Sequence, residues 1–382
     1  MDESAIETQK KHEVACFFDV WLAVIPLLLS LFGIIMIISA SGYFSLKTFG
    51  SPWTYGIKQI KWLLVSLISL GVMYSIPISF WRRWSALLWV MAILLSFVAL
   101  MPFLGMSVGG SSRWIRLGPF SFQPSELLIF LMVVHLSKVI SQTDWDPRKA
   151  FARTIGVITV SAAPLLLQPD IGSTLILVAV GMGMFIMKYG WKYPLMLLFA
   201  LVVPMMIFIF SAAYRLRRLR AWLNPWQDPL NEGFQVIQGL IAFANGGFWG
   251  VGLGRSLQKL QYLPAAHTDF IFAICAEEFG LLGTLTIVGA FALMTWRVHL
   301  LWLQANEEYL SFLIFGLWLS ILIPFFINIG GVTTLIPLTG KAMPFLSYGG
   351  SAILATWMKV GLLLRCSADI KGRGTLNMRS SF

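Results

Sequence analysis

Long apolar runs separated by short polar links dominate the chain from end to end. The runs lie near 17–40, 57–76, 85–104, 124–141, 153–168, 171–188, 193–213, 269–297, 309–330 and 344–365. Most approach the roughly 20 residues that an α-helix needs to cross about 30 Å of hydrocarbon. The pattern predicts an all-α integral membrane protein, a polytopic bundle of about ten transmembrane helices.

The links carry the orientation. Arg82-Arg83, Arg148-Lys149 with Arg153, Lys188 with Lys192, and Arg365, Lys371 and Arg373 fall on one side of such a bundle. Cytoplasmic loops collect Lys and Arg, so that side is the inner one and both termini are expected there. The expected organisation is a cytoplasmic tail over 1–16, a membrane domain over 17–365 and a second cytoplasmic tail over 366–382. A large outer loop, 212–268, falls between the seventh and eighth spans. Inside it, 233–250 is apolar yet holds Gln235, Gln238, Asn245, Gly246 and Gly247. Lipid would leave such polar groups unpaired, so an interfacial or re-entrant helix is expected there.

Composition agrees with this picture and narrows it. Of 382 residues, 58% are hydrophobic and 12% charged. One water-soluble core cannot hide so much apolar surface, and lipid must cover the rest. The net charge of +11 would suit a nucleic-acid binder, but the inner-loop excess accounts for most of it, and no nucleic-acid partner is expected. Cys16, Cys275 and Cys366 stand far apart and imply neither a disulfide framework nor a zinc site. His12, His135 and His299 offer no metal-ligand spacing. P-loop, GxSxG and dinucleotide fingerprints are absent from the sequence.

Candidate chemistry gathers on the outer side. The loop carries Arg215, Arg217, Arg218, Arg220, Arg255 and Lys259, although outer loops of modest length are normally poor in such residues. Headgroup anchoring is one reading. A seat for an anionic substrate is the other, since the planar Arg fork offers paired donors to phosphate. Arg113 and Arg116 repeat that chemistry in a smaller outer loop. Asp269, after His267 and Thr268, marks the entry of the eighth span as either a functional acid or a helix cap. Glu277 lies eight residues on, about 12 Å along a helix, with Glu278 beside it. Structural pairing with Lys or Arg from a neighbouring span is the favoured role for both. Asp170, in the Gln168-Pro169-Asp170 turn, reads first as a turn or cap residue. His267 reads as an acid or base, or as a hydrogen-bonded structural residue.

Several stretches resemble the SEDS family (shape, elongation, division and sporulation). They are Gly110-Ser111-Ser112-Arg113-Trp114-Ile115, Phe122-Gln123-Pro124-Ser125-Glu126-Leu127 and Gln168-Pro169-Asp170. Tyr262-Leu263-Pro264, His267-Thr268-Asp269-Phe270-Ile271-Phe272 and Pro344-Phe345-Leu346-Ser347-Tyr348-Gly349-Gly350-Ser351 complete the set, in family order. Asn224-Pro225-Trp226-Gln227-Asp228-Pro229, Gly250-Val251-Gly252-Leu253-Gly254 and Gln258-Lys259-Leu260 are similar to the cell-division branch rather than the elongation branch.

The resemblance implies a peptidoglycan glycosyltransferase that polymerises lipid II on the outer face of the cytoplasmic (inner) membrane at the division septum. It also implies a class B penicillin-binding protein, a transpeptidase, as partner, among other divisome proteins. Asp269 takes the catalytic position. Arg215, Arg217, Arg218, Arg220, Lys259, Arg113, His267 and Lys341 are candidates for substrate binding, with Glu277, Glu278, Asp170, Gln123 and Glu126 in support. Only one strong base stands in the outer region, so inversion at the sugar carbon is expected. The family often has Glu where Gln261 and Ala265 stand here. A divalent cation, Mg2+ or Mn2+, would therefore lack those loop carboxylates. The family Thr-Lys-Gly is replaced by Thr339-Gly340-Lys341, which moves the lysine by two positions relative to the Pro…Ser-Tyr-Gly-Gly motif. Two rivals stay open: a lipid-linked precursor flippase, suggested by Glu126, Glu277, Glu278 and the Gly/Pro-interrupted spans, and a non-catalytic scaffold.

Overall fold

The computed structural model describes residues 18–379 apart from 102–104, 109–110, 118–119, 143–145, 212, 232 and 261. The expected tail over 1–16 lies outside the described residues. Among the described residues twelve α-helices follow one another: α1 (Trp21–Phe49), α2 (Thr54–Ser75), α3 (Ile78–Val98), α4 (Pro124–Ile140), α5 (Pro147–Leu167), α6 (Ile171–Tyr189), α7 (Lys192–Phe210), α8 (Ala213–Leu223), α9 (Phe234–Gly246), α10 (Ile271–Leu303), α11 (Glu308–Val332) and α12 (Gly350–Arg379).

Eight of them, α1, α2, α3, α5, α6, α10, α11 and α12, are long and apolar enough to cross a membrane. The fourth and seventh expected spans fall on α4 and α7. At 17 residues α4 is short, but Leu128, Phe130, Met132, Val133 and Val134 are fully buried where it packs against α3, α5, α6 and α11. Protein rather than lipid surrounds it, so its length is not set by the bilayer. In contrast α7 exposes Phe199, Val203 and Ile207.

Several boundaries differ from the apolar pattern. α1 continues nine residues past 40 and ends where Gly50 takes φ 73 and donates its amide to the Leu46 carbonyl. α5 starts at Pro147, not near 153, because Asp146 caps it by accepting from the Arg148 amide and proline is tolerated in the first turn. α12 stays helical beyond 365, into the expected tail. The segment over 212–268 is not one loop but α8, a 3-10 turn (Pro225–Gln227) and α9, followed by a loop. A three-stranded antiparallel sheet stands between α3 and α4: β1 (Gly105–Val108), β2 (Ser111–Leu117) and β3 (Phe120–Phe122). The sequence reading contains no strand, because runs of three to seven residues leave too little alternation to detect.

Side-chain contacts bring the α2–α3, α6–α7 and α10–α11 links to one end of the bundle, and the sheet, the α5–α6 turn and the loop after α11 to the other. One end is tied by ion pairs: Arg297 with Asp19 at 2.6 Å, Lys188 with Glu308 at 2.6 Å, and Arg82 with Glu307. The other end carries the sheet, the α5–α6 turn, α8, α9, the loop before α10 and the loop between α11 and α12.

At that second end the chain dips back into the bundle. α9 packs along α10, with Ile237, Gly239, Ala242 and Gly246 buried. α10 is broken at Gly280, where φ is 64 and ψ −161, about 13 Å from its start at 1.5 Å per residue. The break frees backbone groups, and the turn after α9 takes them up. Val251 and Gly252 donate to the Glu277 and Glu278 carbonyls at 2.9 and 3.0 Å, while Leu281 and Leu282 donate to the Gly247 and Phe248 carbonyls at 2.9 and 3.3 Å. Only glycine fits this join: a Cβ on Gly246 would lie 1.9 Å from the Ala276 carbonyl oxygen, and one on Gly280 would lie 2.4 Å from the Gly250 nitrogen. Irregular backbone at such depth persists where protein pairs its polar groups.

Candidate active site

Asp170 is the hub of the site. It caps α6, accepting the Ser173 amide on Oδ1 at 3.1 Å. Its carboxylate, fully buried, also accepts from Ser173 Oγ at 2.6 Å and Gln123 Nε2 at 3.0 Å. Two cations close on the same group: Arg113 of β2 at 3.5 Å and Lys341, from the loop after α11, at 3.6 Å. Burial alone would raise this carboxyl, but Lys341, the hydroxyl and amide of Ser173, and Arg113 outweigh it and hold the pKa below the usual value. Asp170 is therefore a fixed anion. Lys341 further donates to Ser173 Oγ and lies 3.8 Å from Glu126, in the first turn of α4. Gly172 makes room for it, since a Cβ there would meet the lysine stem at 3.0 Å.

Asp269 is placed differently. Phe270, not Asp269, stands at the start of α10, and no side chain caps that helix. Asn328 of α11 donates to the Asp269 carbonyl at 2.8 Å and to the Lys341 carbonyl at 2.8 Å, tying the two loops together. The Asp269 carboxylate points towards Gly340, whose φ is +67 and where a Cβ would sit 3.3 Å from Oδ2. Among the described residues no hydrogen bond or ion pair occupies this carboxylate. Burial raises its pKa, and Arg113 and Lys341 pull it only part of the way back. The arrangement offers an unengaged carboxylate with a raised proton affinity, overlooked by two cations that a second carboxylate holds still. That combination suits proton abstraction beside a developing anion.

The remaining sequence-derived residues divide. His267 lies among Tyr55, Tyr348 and Phe44, with centroids 4.6, 5.7 and 6.3 Å away. Burial pushes its pKa down to about 4, so at neutral pH it is an uncharged ring and adds no positive charge. Arg217 and Arg220 are exposed on α8; the side chains of Arg215 and Arg218 lie outside the described residues. Trp222 ties α8 down by donating to the Thr334 carbonyl at 2.8 Å. Lys259 is engaged elsewhere, 2.8 Å from Glu278 and 3.0 Å from Ser39 Oγ. Glu277 accepts from Ser256 Oγ, Asn245 Nδ2 and the Leu257 and Gln258 amides, pinning the loop that leads to Asp269. The pairing of Glu278 thus comes from a loop lysine rather than a neighbouring span. Sequence reasoning passed over Ser173, Asn328 and Ser351, the last of which accepts the Gln123 amide at 2.9 Å. Their signal is weak: a serine three after a capping Asp, and an Asn inside an apolar helix.

The fold and this site define a class: a polytopic membrane protein with a cluster of charged side chains at one end of its helical bundle. The model of the cell cycle protein family that takes in FtsW, RodA and SpoVE matches residues 20–372. The chain belongs to this family, the SEDS proteins. It is 35% identical over 368 residues to the probable peptidoglycan glycosyltransferase FtsW of Coxiella burnetii, covering 94% of this chain and 99% of that one. It is 38% identical over 354 residues to stage V sporulation protein E of Bacillus subtilis, covering 91% and 96%. A chain of a solved peptidoglycan synthase complex that coordinates polymerization and crosslinking aligns with a TM-score of 0.78 at 25% identity, covering 94% and 99%. The rod shape determining protein RodA of Thermus thermophilus shares the fold, with a TM-score of 0.70 at 22% identity and coverage of 94% and 98%.

Proposed function

We propose that this chain is a peptidoglycan glycosyltransferase that polymerises lipid II at the outer face of the cytoplasmic membrane during cell division. The observation that carries the reading is the unengaged Asp269 carboxylate within the fields of Arg113 and Lys341. The names of the curated relatives support the activity, and the synthase-complex neighbour supports a transpeptidase partner of the class B penicillin-binding kind. The septum, other divisome proteins and cytoplasmic termini belong to the same reading.

In the reaction, the 4-hydroxyl of one sugar attacks C1 of another. Its oxygen forms the new C–O bond as the bond from C1 to the lipid diphosphate breaks. Asp269 takes the hydroxyl proton, a contribution of about 10²–10⁴ in rate. The diphosphate leaves with the bonding pair, and Arg113 and Lys341 face its growing charge, with the α8 arginines Arg217 and Arg220 as the outer approach. With one base and no second free carboxylate beside it among the described residues, the displacement inverts the anomeric centre. Among the described residues no three His, Cys, Asp or Glu side chains gather as metal ligands.

The test is polymerisation of labelled lipid II by the chain purified with its transpeptidase partner, wild type against Asp269→Asn. Polymer from the wild type alone supports the reading. Equal polymer from both removes Asp269 as base, and polymer from neither moves the function towards a flippase or scaffold.

A further inference from the structure

Asp269 and Lys341 stand on two different loops, and neither loop has regular structure to hold it. The segment before α10 is a run of turns, so its carbonyls lack the regular partners of a helix. Three in a row are held from outside instead. The Tyr348 amide donates to the His267 carbonyl at 3.0 Å, and Ser347 Oγ donates to the Thr268 carbonyl at 2.6 Å. Asn328 Nδ2 of α11 donates to the Asp269 carbonyl at 2.8 Å. This third donor does more than seat the segment, because the same nitrogen also donates to the Lys341 carbonyl at 2.8 Å.

Asn328 is 3% exposed, in a stretch of α11 where Phe325, Ile327 and Val332 are buried apolar neighbours. Its Oδ1 is buried with no hydrogen-bond partner among the described residues. A buried amide with one polar atom unpaired is a poor way to stabilise a helix, and a leucine would fill the space without that penalty. Flipping the amide would set its oxygen against two carbonyls, so the two bonds fix its orientation. What the side chain supplies is placement.

The placement runs through a chain of fixed points. The Lys341 ammonium is anchored by Ser173, Asp170 and Glu126, which makes its loop a reference for whatever is tied to it. Asn328 ties the Asp269 backbone to that reference. On the far side of the residue, the Asp269 carboxylate lies against Gly340, where a Cβ would sit 3.3 Å from Oδ2. A slip of one loop along the other would carry this carboxylate out of its place beside the lysine loop.

We infer that Asn328 is a positioning residue of the glycosyltransferase: its amide nitrogen ties the Asp269 backbone to the Lys341 backbone and so sets the base against the cation that faces the departing diphosphate. The inference rests on the reading of Asp269 as base, and Asn328 acts through the two residues it holds.

The test is steady-state polymerisation of labelled lipid II by the full chain with its partner. Asn328→Leu keeps the size and removes both donors. A misplacement of about 1 Å can cost about 10²-fold in rate. The value of kcat per molecule still bound to the partner should therefore fall by about 10-fold or more, with KM for lipid II within about two-fold of wild type. Asn328→Asp keeps the shape and covers the case in which the leucine variant does not fold. A carboxyl offers at most one O–H to the two carbonyls, so the same split is expected. A lower thermal midpoint with wild-type kcat and KM per bound molecule would make Asn328 structural only and overturn the inference. A rise in KM at unchanged kcat would put it in substrate seating and overturn it as well. Either outcome leaves Asp269 as base so long as Asp269→Asn is inactive. Polymer from Asp269→Asn overturns the base assignment and the inference with it.

Discussion

Asp170 and Asp269 are the same residue type with opposite lives, and the difference is what surrounds the carboxylate. Asp170 receives two cations and several hydrogen bonds, whereas Asp269 is half-buried and its carboxylate has no hydrogen bond or ion pair among the described residues. To serve as the proposed base, Asp269 must be ionised. Since its proton affinity is raised, activity should fall as pH drops through a midpoint above the usual carboxylate range, and a rate–pH profile of polymerisation checks this. Asp170→Asn removes one member of a buried charge cluster, which costs about 3–5 kcal/mol when the partner is left behind. A lower thermal midpoint together with lost polymerisation is the expected outcome. Gly172→Ala is subtler: its Cβ meets Lys341 carbons at 3.0 Å, so the lysine must shift. The expected result is reduced turnover of lipid II with the thermal midpoint nearly unchanged. Asp170, Arg113 and Lys341 can each be picked out of the sequence as chemistry-bearing residues. Their meeting cannot, because it joins a strand, a helix cap and a distant loop, and nothing in local periodicity encodes contacts across such separations.

The elements that the sequence shows best are those whose own composition decides their fate. α1, α10 and α11 are long apolar helices by any reading of the chain. The sheet is poorly legible because its short strands are stabilised by each other rather than by pattern. The break in α10 is illegible for another reason: residues 269–297 read as one apolar run, and Gly280 becomes a kink only because the turn after α9 takes up the freed backbone groups. Gly280→Ala tests that join. A side chain at φ 64, meeting the Gly250 nitrogen at 2.4 Å, should cost about 2–4 kcal/mol. The purified protein should show a clear drop in thermal midpoint, and an unchanged midpoint would mean that the join is not under strain.

At the scale of the whole molecule the two ends differ in kind. One is clamped by ion pairs, of which the exposed ones, Arg82 with Glu307 and Lys188 with Glu308, are individually worth at most about 1 kcal/mol. The other gathers the sheet, the broken helix and the two aspartates. The orientation expected from the basic residues of the links is testable directly. A cysteine placed at Arg220 should react with a membrane-impermeant maleimide in intact spheroplasts, and one at Arg82 only after permeabilisation. The native Cys275 and Cys366 are buried and should stay silent, and Cys16 is replaced by serine in both variants. The reverse labelling would turn the bundle over and place the site on the wrong side for lipid II.

The pairing of Glu277 and Glu278 also bears on how the protein is made. Every partner named for these carboxylates, namely Ser39, Asn245, Ser256, Leu257, Gln258 and Lys259, precedes them in the chain. The ribosome therefore delivers the receiving groups before the acidic ones, and α10 leaves the translocon with its counter-charges already waiting. Lys341 comes later, so Asp170 waits with Arg113, Gln123 and Ser173 until α11 has been inserted. Nascent chains arrested before residue 341 should then carry a settled α9–α10 pair and an unfinished catalytic end.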